Sequence, residues 1–313
     1  MSKTTRFGKG RPMDEQAAAI LRQHIDLSSR HAAKAGLGIA GTRSTGRIHS
    51  LATLKKYSSN LKLAGEWAKG RHGLRHLAQM TAGQAQEYLE HRAAIGISQK
   101  QLDADRHAME FVTGAGSLGR VAAITQPKLV SRFYAPVQVD FIQQSQGEAN
   151  ALSTRIAYEA GLRAHELLTL RRAGEEQKSP HRTWRPERFA GREGVRYVVT
   201  GKGGLRREVL LSHETSERLE ALRLDAPREV VDRGIRYSQA YDISGGNRWS
   251  ASFSAASERA LGWSTGAHGL RHSYAQERMA ELAGNGFDYY PARDILSQEL
   301  GHFRGEIVET YLR

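Results

Sequence analysis

The sequence predicts a mainly α fold with one small antiparallel β-sheet, arranged as a helical first domain and a larger, mostly helical second domain. Three observations predict it. Apolar residues recur at helical spacing behind capping residues along most of the chain. One stretch, Val195–Thr200, then Gly201–Gly204, then Arg207–Leu211, reads as strand, tight turn and return strand. Pro127 and Pro136 bracket a connection between two regions of different pattern, and 313 residues suffice for two domains.

Residues 1–47 read as a basic N-terminal extension and linker. Its first eleven residues form a basic arm. Pro12 opens a helical stretch with Asp14 and Glu15 in the first turn, where acids complement the helix dipole. Ile20, Leu21, Ile25 and Leu27 mark its apolar side, and it fades at Lys34–Gly36. Residues 36–47, rich in Gly, Ser, Thr and Arg, read as linker. Residues 48–126 read as a helical module. Ser50 caps a helix to about Lys69, with Leu51, Leu54, Tyr57, Leu61, Ala64 and Trp67 at helical spacing. Thr81 with Gln84, and Ser98 with Gln101, make capping boxes for two more helices. The first of these ends near Arg92, and the second carries Leu102, Met109 and Phe111. A short fourth helix is expected near Ser117–Ile124 and an interdomain linker over 127–136. In the second domain, 137–313, helices are expected at 137–146, 149–171, 213–224, 249–261, 270–284 and 291–299, with a polar surface insertion over 172–194.

The bulk numbers narrow the function. Lys and Arg number 46 against 33 Asp and Glu, a formal net charge of +13. A field that positive favours a polyanionic partner, nucleic acid before membrane. The absence of cysteine excludes thiol catalysis, disulfides and cysteine-based zinc sites. The N-terminus is polar and basic rather than a secretory signal, and no apolar run is long enough to span a bilayer. These point to a cytoplasmic protein.

Four patches carry the chemistry: Gly161-Leu162-Arg163-Ala164-His165-Glu166, Gly201-Lys202-Gly203-Gly204, His268-Gly269-Leu270-Arg271-His272, and Leu300-Gly301-His302 followed by Tyr311. Together they supply what is needed to attack a phosphodiester without a metal. Two guanidiniums, Arg163 and Arg271, can grip the non-bridging oxygens, where charge develops in the transition state. A phenol, Tyr311, can be the nucleophile; it is mostly protonated at neutral pH and needs a base. Lys202 on a hairpin tip can protonate the leaving 5′ oxygen. His302 can hydrogen-bond the phosphate or pack against the nucleophile's segment. Glu166, one turn beyond Arg163, orients its neighbours.

In this order the patches resemble the tyrosine recombinase family: phage and conjugative-element integrases, chromosome-dimer resolvases and related transposases. The likeness covers about residues 137–313, and ELGHFRGEIVETYLR is most similar to the endings of integrases of mobile bacterial elements. The resemblance implies a catalytic domain at 137–313 and a core-binding domain at 48–126 that clamp duplex DNA. It maps catalytic positions onto Arg163, Lys202, His268, Arg271, His302 and Tyr311, with Glu166 supporting and His268 as the base. It implies site-specific recombination through a 3′-phosphotyrosyl bond and a Holliday junction, by four protomers on two duplex sites, with no cofactor and no metal. Accessory DNA-bending or directionality proteins are partners of such systems, and the bacterial nucleoid is where they act. A type IB topoisomerase-like relaxing enzyme is the alternative, and a non-catalytic DNA-binding regulator a third.

The chain carries its own control. His72-Gly73-Leu74-Arg75-His76 repeats the pentapeptide at 268–272, without the other patches around it. It reads as a basic loop touching DNA backbone. The thirteen histidines lack the spacing of a zinc box. Tyr289 and Tyr290 precede the Leu-Gly-His patch, so Tyr311, nine residues beyond His302, is the expected nucleophile. The sequence ends two residues after it, without the tail helix by which many relatives contact a neighbouring protomer. A monomer when free, with Tyr311 mobile until DNA binds, is therefore expected.

Overall fold

A computed structural model describes residues 11–27, 33–34, 36–38, 44–124 and 130–313. The basic arm up to residue 10, the middle of the glycine-rich linker and the start of the interdomain connection lie outside the described residues. The chain divides into two compact units, Met1–Lys128 and Leu129–Arg313.

In the first unit, α1 (Met13–Arg22) buries Met13, Ala17 and Leu21, one face at i, i+4 and i+8. It is shorter than its apolar pattern suggests. After Arg22 the chain leaves the helix, and Ile25 instead forms a parallel bridge with Ile48, with Asp26 N–H on the Ile48 carbonyl at 3.0 Å. Leu27 is left exposed. Met13, Ala17, Leu21 and Ile48 share one core with α2 (Leu51–His72), so this stretch is part of the module rather than an extension to it. The Ser50 hydroxyl caps α2 by accepting from Thr53 N–H at 3.1 Å. Thr81 and Gln84 form the expected reciprocal box at the start of α3 (Ala82–Ala94). Ser98 makes no such box for α4 (Gln99–Thr113). The Gln101 amide donates instead to buried Asp105 at 2.7 Å and to Asn60 at 3.1 Å. The fourth helix expected at 117–124 is extended chain, docked by Gly119 N–H on Gln86 and Ala123 N–H on Gln99.

The second unit begins before the expected boundary. Residues over 132–135 are no linker: Tyr134 is fully buried, its N–H donates to the Ser273 hydroxyl at 2.9 Å, and its ring stacks on Trp263. Helices α5 (Pro136–Gln144) and α6 (Glu148–Ala160) follow. α6 stops eleven residues short of the expected end because Gly161 turns left-handed at φ +58. A side chain there would also strike the Tyr274 ring at 2.8 Å, so only glycine fits. A short 3-10 turn over Glu166–Thr169 leads into β1 (Arg171–Arg172), which joins β2 (Val195–Thr200) and β3 (Arg206–Leu211) in an antiparallel sheet of order β1-β2-β3. The segment between β1 and β2 is not a loose insertion. Arg188 and Phe189 are buried within it, and Phe189 N–H donates to Glu299 at 2.8 Å.

After α7 (His213–Glu220) comes a hairpin absent from the sequence reading, β4 (Arg223–Asp232) and β5 (Ile235–Tyr241), paired Asp232↔Ile235 across Arg233 and Gly234, both at positive φ. Most of β4 faces solvent, so it lacks the alternation that marks a half-buried strand. Helices α8 (Gly246–Leu261), α9 (Gly269–Gly284) and α10 (Tyr289–Glu299) close the unit, with a final 3-10 turn over Gly305–Thr310. Trp249, Phe253 and Ala256 of α8 face the main core with Tyr134, Ile156 and Tyr197. A smaller core joins α9, α10 and Tyr311. Among the described residues no helix is long and apolar enough to cross a membrane.

Candidate active site

The site is built from chain ends and turns around α9. Arg163 follows the left-handed Gly161, and Glu166 opens the next turn. Glu166 is completely buried. Its carboxylate accepts from Arg163 N–H and Nη1, both at 2.8 Å, and from Arg207 Nη2 at 2.7 Å. Burial alone would raise its pKa, but Arg207, Arg163 and Arg271 together hold it down at about 2. Arg207, on β3, is itself buried and lies against Gly301, where φ is +74 and a Cβ would meet its Cδ at 2.9 Å. Replacing Glu166 with Gln leaves Arg207 as a buried cation without a counter-charge. Breaking such a pair costs about 3–5 kcal/mol, so urea unfolding of Glu166→Gln should show a loss of that order, and a loss below about 1 kcal/mol would contradict the buried pairing.

Arg271 enters from the first turn of α9 and is fully buried. Its Nη1 donates to the Gly161 carbonyl at 2.6 Å and its Nη2 to the Leu300 carbonyl. Burial first, then Arg163, pulls its pKa down to about 10. His302 Nε2 lies 3.3 Å from Arg163 Nη2, 3.3 Å from Arg271 Nη2 and 3.5 Å from the Tyr311 hydroxyl. Guanidiniums only donate, so Nε2 is an acceptor and the ring is neutral. Burial and the charges of Arg271, Arg163 and Arg207 push His302 down to about 3.

Tyr311 is 6% exposed and stands among three imidazoles. Ring centroids are 5.1 Å from His272, 5.7 Å from His268 and 6.1 Å from His302, and the Arg271 guanidinium lies over the phenol at 5.3 Å. The Gln276 amide donates to the Tyr311 and Arg313 carbonyls at 3.2 and 3.0 Å. The residue expected to be mobile is thus packed and tied. The hydroxyl's hydrogen-bond partner is His302, while His268 meets the ring edge-on.

His268 and His272 are both lowered to about 4, by burial first, then by Arg271 and Arg132 respectively. These three folded-state values lie below the ordinary 6.5 of an unfolded histidine. Protonation therefore favours the unfolded chain. Their contribution to stability is complete above about pH 6.5 and is lost as pH falls toward 4 and below. The melting temperature should fall from neutral pH to about pH 5, and His272→Gln should flatten that fall. An equally steep profile in the variant would remove His272 from the effect.

Arg163, Glu166, His268, Arg271, His302 and Tyr311 thus converge. Lys202 is exposed at the β2–β3 tip and lines the same cleft as His302. Sequence reasoning missed Arg207, whose only signal is an inward position on a predicted strand, and His272, which sat inside a quoted motif. Tyr289, the competing tyrosine, is half exposed and donates to Glu309 outside the site. Among the described residues no three His, Asp or Glu side chains gather as a metal site.

The pentapeptide copies end differently. His72 is the last residue of α2, Gly73 its left-handed cap, and Arg75 is exposed. His268 instead precedes the first turn of α9, and Arg271 is buried.

No protein-family profile matches the sequence, and none of the curated proteins compared with it matches. Solved structures do match. The XerH site-specific recombinase bound to palindromic difH substrate, in a post-cleavage complex, superposes with a TM-score of 0.53 at 15% identity, covering 96% of this chain and 93% of that one. The chain has the fold of the tyrosine recombinases. The pre-cleavage XerH complex gives the same TM-score at 16% identity and the same coverage. A lambda integrase dimer bound to a COC′ core site gives 0.50 at 16% identity, covering 99% of this chain and 83% of that one. At these identities what is shared is the path of the backbone, and the chemistry is argued from this chain's own residues.

Proposed function

We propose that this protein is a site-specific DNA recombinase of the integrase type that cuts and rejoins DNA through Tyr311. One observation carries the reading: Arg163 and Arg207 share a single carboxylate, Glu166, while Arg271, which has no carboxylate partner among the described residues, lies over the buried Tyr311 ring, so the cluster holds excess positive charge beside a phenol. A phosphodiester supplies the missing negative charge, and charge that grows on its oxygens during attack is stabilised by donors already in place. Tyr311 attacks the phosphorus and forms the phosphotyrosyl bond. Its proton passes to the neutral histidine pair, His268 and His302, of which His302 already accepts from the hydroxyl. The departing 5′ oxygen takes a proton from Lys202. A 5′ hydroxyl of a second strand then reverses the attack, which conserves the bond and needs neither metal nor nucleotide.

On this reading Arg163, Lys202, His268, Arg271, His302 and Tyr311 are the catalytic residues and Glu166 a positioning residue. The substrates are two duplex recombination sites, probed in the bacterial cytoplasm on nucleoid DNA, with four protomers assembled on them and a monomer off DNA. The first unit, with α1 as part of it, serves as the core-binding domain, and the second unit, with Tyr134 in its core, as the catalytic one. Integration or excision of a mobile element, with DNA-bending or directionality proteins as helpers, is the setting. The test is covalent trapping on nicked duplexes tiled from the DNA flanking the gene. A protein–DNA adduct is expected, and exchange between two such sites separates recombination from strand relaxation. No adduct on any duplex would overturn the reading.

A further inference from the structure

Beside the guanidinium cluster lies a cleft of about 510 Å³ whose walls include His181, Arg182, Lys202, His302, Phe303 and Arg304. His302 is shared with the cluster, so the two are continuous. One wall comes from the segment between β1 and β2, which the sequence offered only as a polar insertion. The structure shows why that segment is ordered there. The Trp184 indole N–H donates to the Ser179 carbonyl at 3.0 Å, and its ring meets Phe303 edge-on at 5.0 Å. Arg188 backs Trp184 at 4.6 Å and is itself fixed by Glu208. On this base the exposed Arg182 guanidinium lies over the Phe303 ring at 4.9 Å.

Most of the charge in the cleft is uncompensated. Arg182 and Lys202 have no salt-bridge partner among the described residues. Arg304 has only Glu306, at 3.8 Å. Nearby carboxylates are engaged elsewhere, Glu176 with Arg206 and Glu208 with Arg188 and Lys178. A cation stacked on a ring is held in place without a carboxylate and loses less freedom when it meets an anion.

We propose that this cleft is a second phosphate site, which grips the DNA strand where it runs on from the phosphodiester held by Arg163 and Arg271. Arg182, aimed by Phe303, contacts the next phosphates, and Trp184 is the positioning residue behind it. The inference rests on the DNA reading above, and it assigns a role to a segment that reading leaves idle.

The experiment is equilibrium binding of a short mixed-sequence duplex across a salt series, with indole fluorescence followed in parallel. Arg182→Ala should weaken binding and lower the salt slope by about one, the mark of one lost phosphate contact. Arg182→Lys should keep the slope, because it keeps the charge. Phe303→Leu should weaken binding with the slope retained. DNA should change the indole emission of the wild type, and Trp184→Phe should remove most of that change. Wild-type affinity and slope in Arg182→Ala, with unaltered thermal unfolding, would overturn the proposal, as would a fluorescence change that survives Trp184→Phe. If the wild type binds with these signatures but forms no adduct on any nicked duplex, the cleft stands and the enzymatic reading fails. If adducts form and the slope does not move, the reverse holds.

Discussion

Tyr311→Phe should abolish the covalent adduct with nicked DNA and leave DNA affinity within about twofold. The substitution removes one atom. Among the described residues that hydroxyl makes one hydrogen bond, at 3.5 Å to His302 Nε2, whereas the ring keeps its neighbours His268, His272 and Arg271. Losing one hydrogen bond of this kind costs about 0.5–1.5 kcal/mol, so folding and binding survive. The chemistry does not, because phosphorus is attacked by an oxygen the variant lacks. The check is gel separation of adduct from free protein, with Tyr289→Phe alongside. Tyr289 is exposed, and its hydroxyl serves Glu309. An adduct from Tyr311→Phe that disappears in Tyr289→Phe would reverse the assignment.

Much of this site is legible in the sequence because its pieces are local. Gly161 and Arg163 sit two residues apart, so the turn that ends α6 also launches the guanidinium. Leu300-Gly301-His302 ends α10 and drops the imidazole between two arginines in the same way. What is not legible depends on contacts made across the chain. Arg207 takes an inward position on the return strand where an apolar residue would be expected, and only Glu166, 41 residues earlier, makes its burial sensible. The β4–β5 hairpin carries little hydrophobic alternation, and Pro227 lies within a register irregularity of β4, so the ordinary strand signals are missing. Ser98 and Gln101 have the spacing of a capping box, yet buried Asp105 competes for the glutamine and wins.

The duplicated pentapeptide makes the same point more sharply. Five identical residues end one helix and begin another, so their conformation is set by surroundings. At the second copy a Cβ on Gly269 would strike the Arg132 carbonyl and the Tyr134 ring, so no other residue fits. At the first copy Gly73 has open space around it and serves as a helix cap. Local sequence proposes both structures, and packing selects between them.

That contrast yields the second large effect, a comparison of Arg271→Ala with Arg75→Ala. Arg271 is buried and bridges the ends of two helices, with Nη1 on the Gly161 carbonyl and Nη2 shared between the Leu300 carbonyl and His302. Its removal takes away one preorganised donor to the phosphate, worth about 100- to 1,000-fold in rate. It also strands two buried carbonyls, at about 1–3 kcal/mol each, so the rate must be read well below the variant's melting temperature. Arg75 occupies the same place in the first copy but is exposed in the other unit. Arg75→Ala should weaken DNA binding and lower the salt slope by about one, with an unchanged single-turnover adduct rate at saturating protein. Arg271→Ala should show the opposite pattern, a collapsed rate at saturation. Arg271→Lys separates charge from geometry: an ammonium restores the charge but cannot span both carbonyls and the phosphate, so little of the rate should return. Equal losses at saturation in Arg75→Ala and Arg271→Ala would mean that the shared motif, and not the buried setting of its second copy, determines the chemistry.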